Sequence, residues 1–352
     1  MLLPTTASTV WILAIVSLLC LGSWANTLKL AGKWRFEYFY YDFALGMLLS
    51  AAAAAFVLGS ARPNELTFQD NLVLAGYRQM AWALASGVVL NLGTLLLLAV
   101  MTVSGMSVGF PLTLGVALVI GTVWDFAAAS QASGVLTLGG VLLLLAAVIV
   151  IALAYSWRLA EQQQAAQAAL QADPRLKSKR AKPPGAALAI VLAIVGGIAL
   201  STFPHILFQA TSPENGLSPY SAILLLAVSA FLSAPFFVLF FTTFPVVGAA
   251  GSLRGYLGGN KKQHFLGLLG GILWTTGLLT GLLMASGPRE TQAAALIQYA
   301  LHRGELVVAA AWGLLAWREF GGAGVRVRML VAGTLVLFLA ELGVAAFGLS
   351  AK

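Results

Sequence analysis

Ten runs of about twenty apolar residues follow one another along this chain, separated mostly by short polar turns. In hydrocarbon every backbone N–H and C=O must be satisfied within its own segment, which leaves helices or a closed barrel. Runs of this length, without strict alternation of apolar and polar residues, are helices. The predicted spans are Ser8–Asn26, Asp42–Gly59, Gln79–Val103, Met106–Ala127, Val135–Trp157, Ala186–Phe208, Ser218–Phe244, Phe265–Ser286, Thr291–Trp317 and Val325–Leu349. Only 9% of residues are charged while 60% are hydrophobic, far from the balance a soluble fold of this size requires. The fold class is an all-α polytopic membrane protein.

The net charge of +8 does not mark a nucleic-acid binder, because the basic residues lie between spans and form no continuous patch. They report topology instead. Lys29, Lys33 and Arg35, six residues from Arg158 to Lys182, then Arg254, Lys261, Lys262, Arg318, Arg326 and Arg328 all fall on one side. The other side carries Arg62, Arg78, Arg289 and Lys352. The first side is cytoplasmic, both termini are extracytoplasmic, and the expected location is the plasma (inner) membrane. Val10 to Leu21 is not a signal peptide, since no Lys or Arg precedes it and many spans follow. The one cysteine, Cys20, permits no intrachain disulfide and no cysteine metal cluster.

Arg158 to Pro184 is the long polar linker. Its Ala- and Gln-rich first half, Arg158 to Ala172, is predicted to continue the fifth helix, and Asp173-Pro174 breaks it. Arg175, Lys177, Lys179, Arg180 and Lys182 then form a basic run that anchors topology and suits anionic lipid heads. The linker divides the chain into residues 1–157 and 185–352, with five spans each. Ser86-Gly87-Val88-Val89-Leu90-Asn91-Leu92-Gly93 of span 3 aligns with Gly270-Gly271-Ile272-Leu273-Trp274-Thr275-Thr276-Gly277 of span 8. Gly22 to Asn26 aligns with Ser201 to His205, and Tyr41 with Tyr220. An odd number of spans per half gives the halves opposite orientation, so the expectation is a 5+5 inverted repeat with a binding site near the midplane.

These residues resemble the ureide permease branch of the drug/metabolite transporter superfamily, close to its glucose/ribose and rhamnose porters. Leu21-Gly22-Ser23-Trp24, a basic aromatic loop leading to Tyr41-Asp42, the glycine-rich Ser86 to Thr94, Gly105-Met106-Ser107-Val108 with Ile120-Gly121-Thr122, and Trp312-Gly313-Leu314-Leu315 before Trp317-Arg318-Glu319-Phe320 carry the likeness. The resemblance implies a ten-helix secondary transporter, proton-coupled, for a small polar metabolite such as a ureide or nucleobase, with a sugar as the alternative. It implies no cofactor. The chain departs from the family in lacking a nucleotide-motif-like central loop, in carrying Thr94 where relatives often have an amide, and in the charges at 302–305.

Those charges, His302-Arg303-Gly304-Glu305, lie inside an apolar run, where an ionisable group usually marks a pathway. Counting helical rise, Arg303 lies about 21 Å in from Trp317 and Glu341 about 20 Å in from Arg328, so an Arg303–Glu341 ion pair is expected. His302, Glu305 and Glu341 are the proton-coupling candidates; the alternative is a static polar clamp between helices. The substrate-binding candidates are Asn91, Thr94, Trp274, Thr275, Thr276, Arg303 and Trp24. Asn and Thr can instead bridge neighbouring helices, Trp274 can face lipid, and Trp24 can anchor at the interface. Asp42, His264 and Asp125 read as boundary residues. An intramembrane enzyme is disfavoured: His302 to Glu305 lacks the second histidine of a zinc site, and the three histidines fall at different depths. Expected partners are a small-molecule substrate, protons and lipids, with a homodimer permitted.

Overall fold

The computed structural model describes residues 1–61, 66–128, 134–172, 186–211, 215–286 and 304–350. Every regular element among them is helical: α1 (Ala7–Ser23), α2 (Asn26–Leu30), α3 (Phe36–Val57), α4 (Phe68–Leu74), α5 (Tyr77–Ser104), α6 (Met106–Ala128), α7 (Gly134–Ala172), α8 (Ala186–Ala210), α9 (Pro219–Thr243), α10 (Leu253–Leu257), α11 (Lys261–Ala285), α12 (Gly304–Ala316) and α13 (Val325–Ser350). Eight of these are long and apolar enough to cross a bilayer: α3, α5, α6, α7, α8, α9, α11 and α13. The other two predicted spans appear as shorter apolar helices, α1 and α12. Span 1 is shortened because the chain turns at Trp24-Ala25 before α2; of span 9, only the part from Gly304 lies within the described residues. The helix over Arg158 to Ala172 continues α7 as expected, whereas the basic run at 175–182 lies outside the described residues.

Large apolar side chains cover the outside, among them Trp11, Ile15, Phe236, Leu239 and Phe240. That pattern suits lipid and would be costly in water. Inside, α5 packs on α8 and α9, while α11 packs on α1 and α3; α3 meets α9, α6 meets α8, and α7 meets α13. Glycines set the closest approaches. A Cβ on Gly87 would fall 3.1 Å from Ala230 N of α9, beside the Leu226 carbonyl; one on Gly271 would fall 2.7 Å from Met47 N of α3, beside the Phe43 carbonyl. A Cβ on Gly93 would sit 2.8 Å from Leu200 Cγ of α8, and one on Gly277 2.7 Å from Leu21 Cγ of α1.

Gly93 and Gly277 thus meet Leu200 and Leu21, while Gly87 and Gly271 meet Leu226 and Phe43, and on that register Tyr41 and Tyr220 do not correspond. Tyr41 lies against Tyr256, with ring centroids 5.2 Å apart, and the Tyr220 hydroxyl donates to Leu2 O at 2.7 Å. Their positions near the start of two helices produced a chance match. Gly271→Val should lower unfolding free energy by about 1–3 kcal/mol, since backbone cannot yield as a flexible side chain would. Thermal unfolding in detergent checks this, with Gly139→Val, where an added Cβ meets open space, as the neutral control.

Candidate functional site

Aromatic side chains from five helical segments converge where the two halves meet. Trp24, at the α1–α2 turn, is 2% exposed and packs on Phe43 of α3 at 5.0 Å and on Phe110 of α6 at 6.3 Å between ring centroids. Phe43 also meets Trp274 of α11 edge-on at 6.4 Å, and Trp274 meets Phe203 of α8 at 6.4 Å. Trp24 is therefore no interfacial anchor, and Trp274 does not face lipid. Both are held by Phe43, a residue that apolar periodicity alone cannot separate from ordinary core.

The polar candidates divide. The amide of Asn91 is fully buried: its Oδ1 accepts from the Tyr40 hydroxyl, and its Nδ2 donates to Ala230 O at 2.6 Å and to Ser233 Oγ. It thus clamps α5 to α3 and α9, the bridging role open to an intramembrane amide. Tyr40 stacks on Phe43 at 5.4 Å, which joins this clamp to the aromatic cluster. Thr94, one turn on, is buried. Thr275 follows Gly271 by four residues in α11, as Asn91 follows Gly87 by four in α5. Its hydroxyl is buried and has no hydrogen-bond partner among the described residues. An unsatisfied buried hydroxyl calls for an explanation, and a ligand contact supplies one. Thr276 does not join them: its hydroxyl bonds back to Ile272 O at 2.8 Å on the exposed side of α11.

The turn after α1 is built to hold its own backbone. Asn26 Nδ2 donates to Ser23 O at 2.9 Å, and Thr27 Oγ1 donates to Trp24 O at 2.7 Å. Two indoles, one in α12 and one just after it, secure it further: Trp312 Nε1 donates to Ser23 Oγ at 2.9 Å and Trp317 Nε1 to Asn26 Oδ1 at 2.7 Å. Residues five apart on an α-helix point roughly 140° apart at 3.6 residues per turn. The last turn of α12, Trp312–Ala316, is instead a π-helix, whose wider turn brings the two indoles toward one face. Just beyond, the Glu319 carboxylate accepts from Met106 N at 2.9 Å and Ser107 N at 2.6 Å, capping α6, and pairs with Lys29 of α2. Burial pushes the Lys29 amine below its usual range.

Of the charged candidates, Glu305 is half-buried near the start of α12, and Glu341 is buried on α13. His302 and Arg303 lie outside the described residues, and so does the expected Arg303–Glu341 pair. Asp42, His264 and Asp125, which read as boundary residues, belong instead to two ordered clusters, one of them with His205. Asp42 accepts from His264 Nδ1 at 2.8 Å and from the Tyr256 hydroxyl at 2.8 Å. His205 of α8 meets Asp125 of α6 at 2.9 Å through Nε2 and Ser201 O at 2.7 Å through Nδ1, with Trp124 stacked on its ring at 4.8 Å. Each joins one half of the chain to the other. Among the described residues no group of three or more His, Cys, Asp or Glu could hold a metal ion.

Comparison with known proteins finds relatives of one kind. The chain is 24% identical to ureide permease 1 of Arabidopsis thaliana over 375 residues and 26% identical to ureide permease 4 of the same plant over 388 residues. Each match covers 94% of both chains. Ureide permease 3 of that plant is 32% identical over 115 residues, a stretch that spans about a third of either chain. No family model matches. The protein is a multi-pass membrane protein that is similar along nearly its whole length to ureide permeases.

Proposed function

We propose that this protein is a secondary active transporter that carries a small, flat, polar metabolite of the ureide or nucleobase type across the plasma (inner) membrane by alternating access. Permease relatives favour transport over catalysis. Ten spans, arranged as a 5+5 inverted repeat with both termini extracytoplasmic, form the proposed frame. The paired contacts Gly87–α9 with Gly271–α3, and Gly93–α8 with Gly277–α1, support it, because a two-fold relation between halves requires such duplicates.

The observation that carries the reading is the aromatic cluster around Phe43. Trp24 and Trp274 can present π-faces to a planar ring when the halves separate. The hydroxyl of Thr275 offers a hydrogen bond to the ring's polar edge, while Asn91 and Thr94 form the polar wall behind Tyr40 and Arg303 supplies a charged donor. Proton coupling is assigned to Glu305, with His302 and Glu341, since an acid inside an apolar helix is costly without a role. Glu305→Gln should abolish accumulation against a gradient and leave counterflow exchange near wild type; equal loss in both assays removes the coupling role. Trp and Phe faces also stack on sugars, so the substrate class is tested by thermal shift of purified protein with nucleobases, ureides, glucose, ribose and rhamnose. A ligand at 100 times its Kd stabilises by about 2.7 kcal/mol. Stabilisation by planar amides alone supports the reading, and stabilisation by sugars alone replaces it with a sugar porter.

A further inference from the structure

Away from the aromatic cluster, one further group of side chains joins the two halves through a single buried carboxylate. Asp42 lies in the second turn of α3 and is 4% exposed. One of its oxygens accepts from His264 Nδ1 at 2.8 Å and the other from the Tyr256 hydroxyl at 2.8 Å. Trp34 covers both donors, edge-on to His264 at 4.9 Å and stacked with Tyr256 at 6.3 Å. Close approach at this point depends on Gly267, where a Cβ would fall 2.5 Å from Asp42 Cβ. The Tyr256 phenol is pushed above its ordinary range, by burial first and then by the Asp42 carboxylate, so it stays a donor at any physiological pH. His264 differs in that its side chain remains 29% exposed. Its Nδ1 meets the buried carboxylate, and its Nε2 lies against Gly259 of the loop before α11.

We propose that Asp42 and His264 form a proton-binding latch that closes the cytoplasmic mouth of the transporter. The assignment rests on the transporter reading and on the orientation drawn from the basic loops. In the proposed step a proton from cytoplasmic water adds to Nε2 of neutral His264, and Nδ1–H stays on Asp42. A hydrogen bond from a neutral ring thereby becomes an ion pair, and release of the same proton to water reverses the change. Charge-assisted bonds of this kind are roughly twice as strong as neutral ones. The latch is therefore tighter with the proton bound.

Nearby charges are engaged elsewhere or face outward. Arg35 pairs with Glu37 at 2.8 Å, Lys29 pairs with Glu319, and Lys33, Arg254, Lys261 and Lys262 are exposed. The Tyr38 hydroxyl donates to Ser252 O at 2.8 Å, and Tyr41 packs on the ring of Tyr256. The glycine register of the two halves puts Leu225 at the place of Asp42 and Met80 at that of His264. The repeat-related point is thus apolar, so the other half carries no copy of this latch.

Hydrogen–deuterium exchange of the full-length protein in lipid nanodiscs, without substrate, tests the latch. Backbone amides of residues 253–264 would be followed at pH 5.5 and pH 8 and corrected for intrinsic chemical rates. Histidine changes charge across that interval. In the wild type, exchange should be about five- to tenfold slower at pH 5.5, the increment expected when a neutral bond gains charge assistance. His264→Gln should abolish the pH response while keeping a donor to Asp42, and His205→Gln should leave it intact. Asp42→Asn should abolish it as well, whereas Tyr256→Phe, which keeps the histidine pair, should retain it. An equal response in wild type and His264→Gln, or none in wild type, overturns the proposal. Because no substrate is present, failure of the transport reading would show in uptake assays and not in this one.

Discussion

Trp274→Ala should lower kcat/KM for a planar substrate by about 10- to 100-fold, from the roughly 1–3 kcal/mol that stacking a base on an aromatic side chain contributes. Trp274 is buried against Phe43 and Phe203, so the substitution also opens space inside the aromatic cluster. The two effects separate with Trp274→Phe, which retains a π-face and should recover much of the rate, and Trp274→Leu, which fills space without one and should not. Thr276→Ala is the internal control: its hydroxyl is spent on Ile272 O, and transport should be unchanged. Counterflow exchange in proteoliposomes reads all four variants. Equal rates for Trp274→Phe and Trp274→Leu would remove stacking from the account.

Glu319→Ala should produce the largest loss of stability. Its carboxylate accepts two backbone N–H groups at the start of α6 and neutralises Lys29, which also lies 5.5 Å from the Trp317 ring centroid. Removal strands two helix-terminal donors and a partly buried ammonium, a loss of about 2–4 kcal/mol. Glu319→Gln keeps one acceptor and should lose less. Thermal unfolding checks the order wild type, Gln, Ala. If Lys29→Met in the Glu319→Ala background restores part of the loss, the stranded charge is a measured part of the cost.

Much of the architecture was legible because lipid imposes one solution on an apolar run of sufficient length. The four glycines of α5 and α11 could be read because helix contacts inside a membrane need small residues, and each stands where a Cβ would press on a neighbouring helix. The site was harder to read. Trp24 and Trp274 stood out as large amphipathic side chains, but Phe43, Phe110 and Phe203 carry no sequence mark that separates them from packing. Asp42 and His264 read as boundary residues because each stands at the end of a span; they lie 222 positions apart in sequence, and only folding brings α3 and α11 together. Glu319 sat within a stretch that resembled the permeases, yet its hydrogen bonds to the α6 backbone have no pattern in sequence. The tyrosine match between halves failed for the converse reason: similar residues near two helix starts need not share a register.

The central claim is that the chain moves a planar polar metabolite through a chamber between its two halves. Uptake of radiolabelled uracil and of the ureide allantoin into liposomes containing only the purified protein tests it most directly, with an imposed proton gradient and with the gradient collapsed. The account predicts saturable uptake of at least one of the two, competed by its unlabelled form, concentrated inside while the gradient lasts and lost in Trp274→Ala. Uptake no faster than in protein-free liposomes for both compounds, by protein that unfolds cooperatively, would contradict it.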